Sequence, residues 1–240
     1  NGNSILSNDE THEKRSAAYR FSIPKFAIID PAYTLSVSHH HVIAGSIDII
    51  MHVFEQYFSK TLRTETSDYM SMGVIRSVME NTERILDGQD DYETRANISW
   101  ASTIGLSFLL GADKVGDWAT HRLSYAITIE YGTTHGYALA LIFTSWLRVA
   151  LKYNRETVLP KLALLGELFD CVNPEEVPDA IDQLFNKWGA KTDMKEGFSD
   201  LTIEKLNNLI HNALALGNVG TVIEVNPEIA LEIFKNSLGW

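Results

Sequence analysis

From His39 to the end of the chain, apolar residues recur with the 3.6-residue period of an α-helix, and capping residues, glycines and prolines cut the run into segments. That pattern leaves little besides a bundle of helices. Helices are expected over about 39–59, from the N-capping Thr66, Ser67 and Asp68 to about Leu86 ahead of Gly88, and from Asp91 to about Leu110. A fourth runs from near Lys114 to Glu130 and stops at Gly132, and a fifth follows Thr133 and Thr134 to about Tyr153. Four more are expected over 160–169, 178–188, 202–216 and 227–238, with Pro178 and Pro227 in first turns, where a missing N–H costs nothing. Residues 1–34 have a different texture. Apolar runs at 3–7 and 26–29 flank the charged stretch 8–15, and the second run ends at Asp30 and Pro31, a boundary signal. These two runs read as strands. The expectation is a mainly α protein: a strand-containing segment over 1–34, then an all-helical domain over 35–240.

The formal charge of −11 argues against nucleic acid and anionic membrane surfaces, both of which would repel the chain. No apolar run reaches the length of a membrane span. The lone cysteine, Cys171, excludes an internal disulfide and fits a reducing cytoplasm. The chain opens on Asn1 with no signal-peptide pattern, so it reads as part of a longer or processed protein.

Chemistry concentrates in four side chains. Asp48 and His52 stand four apart on an apolar helix pattern and so share a face. His121 and His135 are fourteen apart. On one continuous helix that separation is roughly 21 Å, too far for one ion to bridge. Gly132 and the two threonines after it supply a stop and a fresh N-cap, so the chain reverses between the two histidines. Three imidazoles and a carboxylate suit a divalent first-row transition metal. The alternative for each histidine alone is a surface or hydrogen-bonded core residue, and an unpaired Asp48 among isoleucines would be expensive to bury. Histidines 39–41 point in different directions on a helix and read as a polar helix start. Cys171 and His211 read as structural.

At these residues the sequence resembles the iron-containing (group III) alcohol dehydrogenase family, on its butanol dehydrogenase and broad-range aldehyde reductase branch. The segment GSIDIIMHVFEQY at 45–57 is similar to the family's glycine, aspartate, histidine and glutamate helix, and HGYALA at 135–140 is similar to its second ligand motif. DWATH at 117–121, YETRANISWA at 92–101 and the Asp30–Pro31 pair also match. The resemblance implies that Asp48, His52, His121 and His135 hold Fe2+, or Zn2+, Ni2+ or Co2+. It implies NAD(P)-dependent interconversion of small alcohols and aldehydes, with NADP favoured by the branch, in a homodimer or higher oligomer. It further implies that Asn1 and Lys14 contact the nicotinamide-ribose side of the cofactor, with Trp118 and Tyr125 lining the substrate pocket. No glycine-rich dinucleotide turn occurs in the chain, so it resembles the family's C-terminal portion, its β segment belonging with the cofactor domain. The family's usual histidine four residues after the first of the late pair is Tyr125 here, which makes an imported proton relay doubtful. Two other readings stand beside this one: a zinc enzyme like glycerol dehydrogenase or dehydroquinate synthase, and a non-catalytic helical metal-binding or interaction domain.

Overall fold

A computed structural model describes residues 2–8, 10, 13–112, 114–196, 198 and 200–240, with the side chains of Glu13 and Arg15 left aside. Two strands, β1 (Asn3–Asn8) and β2 (Glu13–Ala18), pair antiparallel in a ribbon with Asn3 opposite Ala18 and Asn8 opposite Glu13. The second strand therefore forms from the charged stretch, not from 26–29 as expected. Residues 24–30 carry no regular structure, and Phe26 and Ile28 are 83% and 87% exposed. A short apolar run makes a strand only where a sheet edge receives it, and the described residues offer none there. Asp30 ends the segment by accepting the Ala32 N–H at 2.9 Å, capping a 3-10 turn over Pro31–Thr34.

Nine α-helices follow among the described residues: α1 (His39–Tyr57), α2 (Glu65–Leu86), α3 (Tyr92–Gly105), α4 (Ala119–Tyr131), α5 (His135–Tyr153), α6 (Arg155–Phe169), α7 (Val177–Lys187), α8 (Ile203–Ala213) and α9 (Pro227–Leu238). Capping chemistry sets several starts. Asp91, Thr202 and Asn226 each accept a backbone N–H three residues on, and Pro227 takes the first turn of α9. Three boundaries differ from expectation. α3 stops at Gly105, whose carbonyl accepts from Gln56 Nε2 of α1 at 2.6 Å. α4 begins at Ala119, because the preceding residues lie against α1 as a loop: Asp117 N–H donates to the Glu55 carbonyl at 2.8 Å. α6 begins at Arg155 and carries Pro160 inside it; proline there removes only the hydrogen bond to the exposed Glu156 carbonyl turn.

The core centres on α1 and α5. α5 is buried almost all round from Ala138 to Leu147, the mark of a central helix. Phe54 of α1 stacks on Phe143 of α5 with centroids 4.9 Å apart, and Phe58 and Trp146 close the cluster. The two helices cross closely at Gly136, where a Cβ would lie 1.9 Å from the Ala44 carbonyl oxygen. Only glycine permits that approach. No described helix is long and apolar enough to cross a membrane.

Candidate metal centre

Three helices converge at one end of this crossing. α1 presents Asp48, His52 and Glu55 at spacings of four and three, hence on one face. His121 sits in the first turn of α4, and His135 is the first residue of α5. Between them Gly132, at φ 63°, caps α4 in the left-handed region and Thr134 precedes α5, so the expected reversal is present. The close crossing at Gly136 then holds His135 against α1.

Asp48, His121 and His135 each offer a ligand atom within 4.8 Å of the others. Asp48 Oδ1 lies 3.7 Å from His121 Nε2 and 3.6 Å from His135 Nε2. His52 stands beside them, its ring 4.5 Å from that of His121 and its Nδ1 3.3 Å from Asp48 Oδ1. That Nδ1 donates to the Asp48 carbonyl at 2.8 Å, leaving Nε2 as the free ligand atom. Asp48 Oδ1, His121 Nε2 and His135 Nδ1 are buried without a hydrogen-bond partner. Two of these, Asp48 Oδ1 and His121 Nε2, face each other with His135 Nε2 beside them, and a divalent ion there would satisfy both.

The electrostatics agree. Burial alone would raise Asp48, yet interactions with His121 and His52 and the charge of His135 hold it below the usual carboxylate range. Burial likewise opposes charge on His121, but Asp48 and Glu55 on either side outweigh it and push the imidazolium up to about 9. His135, with desolvation dominant, is pulled down to about 4 and is neutral at pH 7. A positive charge is thus favoured between the two carboxylates.

Behind His121 lies Glu55, which the sequence reading quoted in its motif but did not count as a site residue. It is 3% exposed and accepts from Trp118 N–H at 2.5 Å, Thr120 Oγ1 at 2.6 Å, His121 N–H at 3.0 Å and His121 Nδ1 at 2.9 Å. The available signal was its place seven residues after Asp48 on the same apolar face. Trp118 adopts φ 62°, a costly left-handed conformation for a bulky residue. Asp117, also passed over, is buried and accepts the Thr221, Val222 and Ala119 N–H groups. It ties the loop before α9 to the start of α4. Burial, then the Glu55 charge, pushes its carboxyl up to about 7.

A cleft of about 470 Å³ opens over the four residues, roofed by Asn3–Ile5 and Ser16–Ala18 of the ribbon and walled by Leu106, Phe108, Trp118, Arg122 and Tyr125. Trp118 lies 5.5 Å from the His121 ring and Tyr125 5.6 Å from the His135 ring, centroid to centroid. Lys14 reaches in from β2, its Nζ 5.0 Å above the Tyr125 ring. Burial lowers its pKa, while Asp48 acts in the opposite sense. Asn1 falls outside the described residues.

Comparison with known proteins adds a family to this geometry. Residues 42–238 match the Fe-containing alcohol dehydrogenase family, C-terminal. A probable NADH-dependent butanol dehydrogenase of Bacillus subtilis is 33% identical over 243 residues, covering 99% of this chain and 62% of that protein. An NADPH-dependent aldehyde reductase of Escherichia coli is 32% identical over 142 residues, covering 59% and 37%. The crystal structure of NADH-dependent butanol dehydrogenase A from Thermotoga maritima superposes with a TM-score of 0.90 at 26% identity, over 99% of this chain and 62% of that one. The chain thus spans about three-fifths of the length of these butanol dehydrogenases. By sequence and by fold, it belongs to the Fe-containing alcohol dehydrogenase family, whose C-terminal region it matches.

Proposed function

We propose that this chain is the metal-bearing region of an NAD(P)-dependent alcohol dehydrogenase or aldehyde reductase, with Asp48, His52, His121 and His135 as the ligands. The observation that carries the proposal is the grouping of Asp48, His121 and His135 ligand atoms where α1, α4 and α5 meet, with Asp48 Oδ1 and His121 Nε2 buried and unpartnered. A bound divalent ion would supply Lewis acidity toward an alcohol or carbonyl oxygen. The chain's own residues do the rest. Asp48 contributes the fixed negative charge, and His135 is already neutral and ready to ligate. Trp118, Phe108 and Tyr125 form apolar walls that exclude water and orient a small substrate. Lys14 places a cation at the cleft edge, beside a ribbon that would face the nicotinamide, where we also assign Asn1.

Iron is supported by the family's description, although zinc, nickel or cobalt suit the same donors. Relatives named for NADH and for NADPH both match, so the preference for NADP rests on likeness to the aldehyde reductase alone. Small alcohols or aldehydes as substrates follow from the relatives' names. We assign it to a cytoplasmic homodimer or larger oligomer, a reading supported by the resemblance and in keeping with a single cysteine.

Metal analysis of the purified chain tests the central claim. The wild type should carry stoichiometric metal and the Asp48→Ala/His135→Ala variant should carry none; equal content in both would sink the assignment. A three-ligand zinc site is the second reading, and one observation favours it: the mutual 4.8 Å grouping holds Asp48, His121 and His135 without His52. His52→Ala separates the two, since it should lose metal under the four-ligand reading and keep it under the other.

A further inference from the structure

We infer that Glu55 is the positioning residue of the site: from α1 it sets both the start of α4 and the ring orientation and tautomer of His121. This rests on the metal reading above and adds a residue to it. α4 begins without the usual means of starting a helix. Its N-cap residue is Trp118, which has no hydroxyl or carboxylate to accept a backbone N–H and makes no side-chain cap bond. The Trp118 and His121 N–H groups, orphans of the first turn, are instead satisfied at 2.5 and 3.0 Å by the Glu55 carboxylate. Its negative charge also sits at the positive end of the α4 dipole.

The same carboxylate fixes the imidazole. Its two oxygens already accept from the Trp118 and His121 N–H groups and the Thr120 hydroxyl, so the carboxylate presents itself to the ring as an acceptor. A bond at 2.9 Å to His121 Nδ1 therefore has Nδ1–H as donor, which leaves Nε2, 3.7 Å from Asp48 Oδ1, as the ligand atom. The Thr120 hydroxyl, a fourth donor from the same turn at 2.6 Å, further restrains the carboxylate. One residue thus couples where α4 starts to which nitrogen of His121 faces Asp48. Carboxylates behind ligating histidines act in this way generally, and their loss weakens metal binding about ten- to hundredfold.

The test uses Zn2+ alone as probe, with competition against a chelator, on the wild type, Glu55→Gln and Thr120→Val. Glu55→Gln should bind zinc about ten- to hundredfold more weakly. Thr120→Val, which removes a bond to the same oxygen but leaves the charge and the Nδ1 acceptor, should bind within a few-fold of wild type. A folded Glu55→Gln with wild-type affinity overturns the inference, as does an equal loss in Thr120→Val, which would reduce Glu55 to a packing role. Should Glu55→Gln not fold, nitrogen NMR of the zinc-loaded wild type decides: a proton on His121 Nδ1 with metal on Nε2 supports the inference, and the reverse overturns it. A wild-type chain that takes up no zinc or iron overturns the metal reading itself, an outcome distinct from metal uptake indifferent to Glu55.

Discussion

Gly136 shows how one missing methyl group places a candidate ligand. Its Cβ would meet the Ala44 carbonyl oxygen at 1.9 Å and the carbonyl carbon at 2.7 Å, both backbone atoms that no rotamer change can move. Gly136→Ala must therefore push α5 away from α1, at a cost near the upper end of the about 1–3 kcal/mol typical of overpacking. His135, the adjacent residue, moves with it. Denaturant melts should report the destabilisation, and metal content should fall in the same variant; a stable, fully loaded Gly136→Ala would show that the crossing has slack. Asp117 supplies a pH-dependent counterpart. Its ordinary pKa near 3.8 is raised to about 7 in the folded chain, so the native state holds a proton that the unfolded chain releases. The contribution of Asp117 is full below about pH 4 and is lost as pH rises through about 7. Asp117→Asn carries a pH-independent offset from its altered bonds to Thr221, Val222 and Ala119. Its stability relative to wild type should nevertheless rise from pH 4 to pH 7. A flat difference across that window would show that the carboxyl titrates normally.

Helix packing adds a second polar anchor, away from the cleft. Asp68 of α2 binds Lys161 of α6 at 2.7 Å and Lys114 at 2.9 Å, all three side chains buried. Lys114 begins the stretch that leads over Glu55 into α4, so this cluster also steadies the approach to His121. Asp68→Ala would strand two buried ammonium groups and should cost about 3–5 kcal/mol, whereas Lys161→Met leaves Asp68 paired with Lys114 and should cost less. Urea melts of the two variants give the order, and the reverse order would refute the account. Such a cluster is invisible to pattern reading because its members are 46 and 93 positions apart. Helices whose ends are set locally were legible: 227–238 is bounded by Asn226, Pro227 and Gly239, and the break at Gly132 lies where the two histidines require it. Ends set by another element were not. α4 starts at Ala119 because Glu55 caps it, and α3 stops where Gln56 takes the Gly105 carbonyl. Asp48, His121 and His135 were legible by residue type and spacing; Glu55 and Asp117 act through distant backbone groups, which leave no local trace. The strand expected at 26–29 failed for a related reason, since an apolar run needs a partner strand that the described residues do not supply.

Across the whole molecule, the distribution of burial separates what this chain can do alone from what it cannot. α1 and α5 are enclosed by the other helices, and the candidate ligands hang from that enclosed pair, so the 240-residue chain should fold and take up metal by itself. Among the described residues, the other side of the cleft is a two-stranded ribbon, and beside it Phe21, Phe26, Ile28 and Tyr33 are each more than 80% exposed. A surface that apolar is what contact with further protein would cover. A dinucleotide is usually held by a glycine-rich turn and a helix N-terminus cradling its phosphates, and no such turn occurs in this sequence. Hydride transfer needs cofactor and substrate carbon aligned within about 3–3.5 Å, a geometry that the metal cleft alone does not impose. The purified chain, loaded with iron or zinc, should therefore bind metal stoichiometrically yet give no NAD(P)-linked oxidation of butanol or reduction of butanal. Absorbance of the reduced nicotinamide measures this directly. Turnover above background, lost in Asp48→Ala, would show that the residues described here suffice to hold the cofactor, and would move its site onto the ribbon, Lys14 and the walls of this cleft.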